Sequence, residues 1–350
     1  MNTTTPRPPF RLLAAALCAV LAVACGAGYT PRAEVSLPPE VTTPTVPAPT
    51  LQECDNRKPI AAVATYPPLD PMPAAGGPMP PGSYMETIAR RGKLIVGTSI
   101  DTNLFSSVNP ASNQIEGFDV DMARLVAAAI FGTADGHVEL RGITYGQRIP
   151  LVVNGELDLV AHTMTINCRR WQQVAFSEVY LYAGQKLLVA VDSPATSVED
   201  LAGQTVCVSA GGTSADEMRA LKVVPPVNVI EVSNQTDCVV LFQRGEADAI
   251  RSDDTVLAGF AAQDPFSKVV GKALTEEPYG MAMSRSHPEF VRFVNGVLRQ
   301  AKADTSAKGW RASYNRWLLP ALGEPLAVID LTSSGAPSFG IPVADYSRIP

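Results

Sequence analysis

The chain has 350 residues, 46% of them hydrophobic and 18% charged, and its net charge is −6. That length supports a substantial core in one large or two medium domains. An acidic chain without a basic run lacks the electrostatic footprint of a nucleic-acid-binding protein, so no nucleic-acid partner is expected.

Residues 1–24 read as an export signal. "MNTTTPRPPFR" carries Arg7 and Arg11, and "LLAAALCAVLAVA" is an apolar run too short to span a bilayer by itself, closed by small residues. In "LAVAC", Ala24 immediately precedes Cys25, which resembles the bacterial lipoprotein signal, although Ala22 stands where that pattern prefers Leu. The resemblance implies that Cys25 becomes the lipidated first residue of the mature protein, which then sits on the extracytoplasmic side of a cell membrane. More than one acyl chain would anchor it stably, whereas a single chain is marginal.

Residues 25–83 are rich in Pro, Ala and Thr ("VTTPTVPAPT", "YPPLDPMPAAGGPMPPGS") and have no sustained apolar period. Such a stretch favours extended polyproline conformations and is expected to be a stiff tether between anchor and domain. Of six cysteines, Cys18 leaves with the signal and Cys25 carries lipid. Cys54, Cys168, Cys207 and Cys238 remain, an even number that suggests disulfides in an exported chain and allows three pairings. No CxxC spacing or His cluster supports a metal site, and neither metal nor cofactor is expected.

Order is expected from Tyr84. "SYMETIARRG" reads as a short helix stopped by Gly92, and "KLIVGTSI" as a buried strand. "GFDVDMARLVAAAIFG" places Met122, Leu125, Val126, Ala129 and Ile130 on one helical face, with Asp119 as N-cap and Gly132 as terminator. "HVELRGI" is a strand, "GQRIPLVVNG" a helix, "LDLVAH" a strand. After "GQKLLVAV" the alternation restarts: "DLAGQTVCVSAGGTSADEMRAL" is strand, Gly/Ser loop and helix, "NVIEVS" a strand, "TDCVVLFQRG" a helix, "ADAIRS" a strand. This order predicts α/β layers with helices covering a mostly parallel sheet.

One phrase occurs twice. "GELDLVAH" from Gly155 and "GEADAIRS" from Gly245 both place Gly-Glu at the end of a helix, then an Asp, then a short strand. A repeated phrase implies a repeated architecture of two similar lobes facing a cleft. In open α/β sheets ligands bind beyond the C-terminal ends of the strands. The residues to inspect are therefore "HTMTINCRR" in one lobe and "RSDD" in the other.

"GFDVDMARLVA", "RIPLVVNGELDLV", "TMTINCRRWQQVAFS", "VCVSAGGTSAD" and "ADAIRSDD" resemble the polar-amino-acid-binding lipoproteins of ABC importers, solute-binding protein family 3. Within that group they most resemble the actinobacterial glutamine/glutamate-binding proteins. The likeness runs from about Tyr84 to Leu319. It implies a two-lobed, type II periplasmic-binding-protein-like α/β fold with a central cleft and a two-strand hinge. Lobe one would comprise residues 84–188 and 280–322, lobe two residues 189–279, and residues 323–350 would form a C-terminal extension.

By the same resemblance, Arg170 takes the ligand's α-carboxylate with Thr165, Thr163 beside them, and Arg169 stays on the surface. A guanidinium fork suits a carboxylate, and charge-assisted bonds are about twice as strong as neutral ones. Gly212 and Thr213 belong to a Gly-rich loop opening a helix, whose free N–H groups attract anions. Asp253 takes the α-ammonium, with Asp254 as a helix cap. Tyr145 lines the pocket, Arg148 meets a second carboxylate on the ligand, and Asp101 is a pocket-edge acid that in glutamine binders accepts from the side-chain amide. Ser209 replaces a lysine that glutamine binders use. An acid at position 101 would repel glutamate unless an arginine offsets it; the expected ligand is glutamate or aspartate, followed by glutamine or asparagine. The resemblance also pairs Cys207 with Cys238 and so leaves Cys54 to Cys168.

His137, His162 and His287 are scattered, and Trp310, Tyr314 and Trp317 read as a C-terminal helix packing on lobe one. The expected function is capture of a polar amino acid by cleft closure, as a monomer without catalysis, for an ABC permease. A transmembrane sensor is an alternative partner. A cyclohexadienyl-dehydratase-like enzyme on the same fold would need a general acid in the cleft, and none stands out beyond Glu178 and Asp101.

Overall fold

The computed structural model describes residues 65–324. The signal, Cys25, Cys54 and the extension beyond residue 324 lie outside that range. The first lobe begins with α1 (Tyr84–Arg91), capped by Ser83, which accepts from the Glu86 N–H, and with β1 (Leu94–Thr98). A small antiparallel flap follows: β2 (Asp101–Thr102), β3 (Ser106–Asn109) and β4 (Gln114–Glu116). Then come α2 (Phe118–Phe131), β5 (Val138–Gly142), α3 (Arg148–Val153), β6 (Leu159–Val160), α4 (Cys168–Trp171), β7 (Ala175–Phe176) and β8 (Leu181–Ala183).

The second lobe holds β9 (Gln185–Ala190), β10 (Thr205–Ser209), α5 (Thr213–Ala220), β11 (Asn228–Val232), α6 (Gln235–Gln243), β12 (Ala249–Asp253), α7 (Asp254–Ala261) and β13 (Ser267–Val270). The chain returns through β14 (Glu277–Tyr279) and β15 (Ala282–Met283) to α8 (Pro288–Ala303), α9 (Trp310–Trp317) and α10 (Leu319–Leu322).

The two sheets have the orders β5-β1-β6-β15-β7 and β11-β10-β12-β9-β13. In each, the first three strands are parallel and the last two join antiparallel. The expected mostly parallel sheet is therefore half right. β9 and β15 are the strands by which the chain enters a lobe from the hinge. They arrive without a crossover helix, and a parallel partner would need one. The hinge is the antiparallel pair β8–β14. Lobe two's sheet already begins at Gln185, so a boundary at 188/189 would cut through β9.

The duplicated phrase occupies the central strand of each sheet, β6 and β12. Gly155 and Gly245 take left-handed φ angles of 73° and 70°, which favour glycine. The Glu156 and Glu246 N–H groups donate back to Leu151 and Leu241 carbonyls. The shared Asp works identically in both lobes. Asp158 accepts from the Ile95 N–H at β1, and Asp248 from the Thr205 N–H at β10, each at 2.7–2.8 Å. In lobe two, alternate residues segregate by face: Leu187, Val189, Val206 and Val208 pack on one side, Leu188, Cys207 and Ile250 on the other.

Two expectations are corrected here. Residues 65–83 are not tether. Tyr66 and Met79 are buried in the lobe-one core, Asn295 on α8 donates to the Tyr66 carbonyl, and Arg292 donates to the carbonyls of Pro67 and Pro68. Isolated anchors spaced irregularly along a Pro-rich segment leave no period to read. Asp119 is not a cap: Gly117 takes that place, and Asp119 is fully buried inside α2. The C-terminal aromatic helix packs as expected, with Trp310 edge-on to Phe118 and the Trp317 indole N–H donating to Asp121.

Candidate ligand-binding cleft

A small, narrow cavity lies between the lobes. Lobe one lines it with Tyr145, Arg148, Thr163, Thr165 and Arg170. Lobe two supplies Ser209, Gly212, Thr213, Ser214, Ser252 and Asp253. All the expected site residues except Asp101 thus come together.

Thr163 follows β6 with a φ of 39°, which is strained for a β-branched residue. Asp119 accepts from its N–H at 2.7 Å and from the Tyr180 hydroxyl at 2.7 Å. Burial pushes the Asp119 carboxyl up to about 6, against those two bonds. This buried acid fixes the cavity floor, a role its place in the helical pattern did not reveal. Tyr145 and Thr163 share a hydroxyl contact at 3.2 Å.

Both arginines are buried. Arg170 stands on α4, whose cap Asn167 accepts from the Arg170 N–H. Its guanidinium donates to the Thr165 carbonyl at 2.6 Å and, across the cleft, to the Gly211 carbonyl at 3.3 Å. Arg148 donates to the carbonyls of Tyr145, His162 and Gly211 and lies 4.2 Å from the Tyr145 ring centroid. It is 2% exposed, which rules out a surface helix charge. Burial, then the charge of Arg170, pulls Arg148 down to about 9, and burial also lowers Arg170. Among the described residues neither guanidinium has a salt-bridge partner. Gly211, whose carbonyl bridges the two, carries no side-chain signal in the sequence.

On the opposite wall Asp253 ends β12 and accepts from the Tyr279 hydroxyl. Burial, reinforced by the charge of Glu277, raises its carboxyl well above the usual carboxylate range. Asp254 does not cap α7, because Asp253 occupies that position; it accepts from the Gly184 N–H instead. The buried Ser209 hydroxyl lines the cavity with no hydrogen-bond partner among the described residues.

Asp101 is elsewhere. One carboxylate oxygen accepts from the Thr236 N–H and hydroxyl at the start of α6, and the other from Ser99. A helix N-terminus attracts an acid, and this one belongs to the other lobe. Asp101 therefore clasps the lobes together. The Asn103 amide does the same by donating to the Gly259 carbonyl, and the exposed Arg169 pairs with Asp216.

Residues 94–320 match the family described as bacterial extracellular solute-binding proteins, family 3. The chain belongs to that family. As a family 3 solute-binding protein it is 42% identical over 209 residues to a glutamine-binding protein of Geobacillus stearothermophilus, covering 59% of this chain and 79% of that one. It is 32% identical over 269 residues to the glutamate-binding protein GluB of Corynebacterium efficiens, covering 74% and 88%. Among solved structures, an ancestral arginine-binding protein bound to glutamine superposes with a TM-score of 0.60 at 30% identity, over 67% of this chain and 99% of that one. In this solute-binding protein Cys207 and Cys238 form a disulfide within lobe two. Cys168 is also disulfide-bonded, and Cys54, its expected partner, lies outside the described residues. No group of three His, Cys, Asp or Glu residues among those described could hold a metal ion.

Proposed function

We propose that this solute-binding protein captures an acidic amino acid, glutamate or aspartate ahead of glutamine or asparagine, and passes it to an ABC permease. The observation that carries the reading is the pair of buried guanidiniums, without a salt bridge among the described residues, sharing one small cavity with a single carboxylate. Burying a charge is costly unless it is paired. Counting the lining residues alone, with the carboxylate of Glu277 buried behind Thr213 and Arg251 buried beside it, Arg148 and Arg170 against Asp253 leave one positive charge. An acidic amino acid, with two carboxylates and one ammonium, cancels it, whereas an amide amino acid does not. The Corynebacterium relative is named for glutamate, which supports an acidic ligand, and the Geobacillus relative for glutamine, the amide ranked next.

In this reading Arg170, with Thr165 and the Thr213 N–H, holds the α-carboxylate; the Gly212 N–H closes the loop on the Ser209 carbonyl. Asp253 and Thr163 hold the ammonium. Arg148, Tyr145 and the free Ser209 hydroxyl meet the side chain. Asp101 acts on closure only. Arg170 and Asp253 belong to different lobes, so both bonds form only in the closed state, and ligand binding thereby favours closure. The protein works as a binder rather than an enzyme. The two acids weighed as proton donors are committed elsewhere, Glu178 to Arg299 and Lys302 and Asp101 to Thr236. Residues 1–24 serve as the export signal, and a lipidated Cys25 anchors the lobes outside the membrane as a monomer.

A thermal-shift screen of the twenty amino acids tests this, since a ligand that binds only the folded state raises the melting point. Glutamate and aspartate should give the largest shifts. Arg170→Ala should abolish them, because truncating one partner of a buried charge pair costs about 2–5 kcal/mol. No shift with any amino acid, or wild-type shifts in the variant, would refute the reading.

A further inference from the structure

Behind Thr213 lies a buried polar chain that no cavity residue accounts for. Glu277, on the hinge strand β14, is 3% exposed, and Gln185 and Arg251 beside it are equally buried. The Arg251 Nε–H donates to Gln185 Oε1 at 3.0 Å, which fixes the orientation of the Gln185 amide. The amide nitrogen donates to Thr213 Oγ1 at 3.0 Å and to Glu277 Oε1 at 3.1 Å. Glu277 Oε1 also accepts from the Thr275 hydroxyl, and Glu277 Oε2 from the Thr213 hydroxyl at 3.1 Å.

A threonine hydroxyl offers one proton and two lone pairs. At Thr213 the proton goes to Glu277 and one lone pair receives Gln185. One lone pair remains for the cavity that Thr213 lines. With its proton committed to Glu277, the hydroxyl cannot donate to a ligand's carboxylate; toward the cavity it can only accept. Asp253 lines the same cavity, at the C-terminal end of β12, the parallel neighbour of the strand β10 that leads into the Thr213 loop.

We propose that Glu277 is a positioning residue for ammonium recognition: by accepting the Thr213 hydroxyl proton it makes the Thr213 oxygen an obligate acceptor, which reads the donor end of the ligand alongside Asp253. The backbone N–H groups at the start of α5 and its first hydroxyl then have opposite polarity and serve opposite ends of the same zwitterion. The inference rests on the amino-acid reading above.

The test is calorimetric titration of L-glutamate and of glutarate, which has both carboxylates and no ammonium, into the wild type, Thr213→Val, Glu277→Gln and the double variant. Thr213→Val should weaken L-glutamate roughly tenfold or more, the effect of losing one bond to a charged group. Glu277→Gln should weaken it as well, since its amide can turn its NH2 toward Thr213 and release the hydroxyl proton into the cleft. The double variant should bind no more weakly than Thr213→Val, Thr213→Ser should restore affinity, and glutarate should change by less than about threefold throughout. Additive losses in the double variant, or equal losses for glutarate, would overturn the positioning role and show a general effect on the lobe. Absence of L-glutamate binding by the wild type would remove the ligand reading itself, and the positioning role with it.

Discussion

Replacing Arg148 with Gln removes the charge assigned to the ligand's second carboxylate while keeping a donor at the site. Arg148 is 2% exposed, and it donates to three carbonyls at 3.0–3.2 Å. The Gly211 carbonyl keeps Arg170 as a donor, so the cross-cleft contact survives. With Arg148 gone, a bound glutamate buries a carboxylate with no cation, a loss of about 2–5 kcal/mol, or roughly thirty- to several-thousand-fold in affinity. Glutamine loses at most an ordinary hydrogen bond, about 1 kcal/mol, within roughly tenfold. The carbonyls left behind lower the stability of the ligand-free protein, which its own melting point measures separately. Titration of both amino acids into both proteins gives the ratio directly. The difference, at least about 1 kcal/mol, means that selectivity for glutamate should fall by at least about fivefold. Equal losses for the two ligands would refute the assignment, because a residue that reads the side-chain charge cannot affect both alike.

The raised Asp253 carboxyl gives a pH signature. Its ionised form is disfavoured in the empty cleft and favoured beside an ammonium, so binding should expel a proton. Affinity should therefore rise with pH through the range where the empty Asp253 titrates and fall as pH is lowered. Calorimetry in two buffers of different ionisation enthalpy detects this; proton uptake on binding, or release that persists in Asp253→Asn, would contradict it. The Cys207–Cys238 bridge closes a loop with a sequence separation of 31. Chain entropy assigns it about 3–4 kcal/mol, so Cys207→Ser/Cys238→Ser should lower the unfolding midpoint of lobe two, and an unchanged midpoint would contradict that estimate. Cys25→Ala should move the protein from the membrane fraction to the soluble fraction, and continued membrane association would remove the lipid anchor.

Local signals made much of this molecule legible. Gly-Glu-x-Asp recurs because each lobe needs a left-handed glycine to leave its helix and a carboxylate to fasten the neighbouring strand, and both demands fall within four consecutive residues. Thr163, Thr165, Arg170 and Asp253 stood out because they lie at or beyond the C-terminal ends of the central strands β6 and β12, whereas Tyr145, Arg148, Gly212 and Thr213 were legible only through the family resemblance. Long-range bonding was hidden. Asp119 looked like a cap because an acid near a helix start usually is one, and only the fold brings the strained Thr163 to it. Asp101 looked like a pocket acid, but its partner is a helix start in the other lobe, 135 residues along the chain. The Glu277–Gln185–Thr213 chain joins three segments with no common pattern. Residues 65–83 pack through single anchors in a Pro-rich stretch whose composition resembles a spacer.

The central claim is that Arg170 and Asp253 grip opposite ends of one small zwitterion. A crystal structure of the protein with L-glutamate tests it most directly. The α-carboxylate should lie within hydrogen-bonding distance of Arg170, the ammonium against Asp253, and the second carboxylate on Arg148. Glutamate bound outside this cavity, or inside it with no contact to Arg170 or Asp253, would contradict the account.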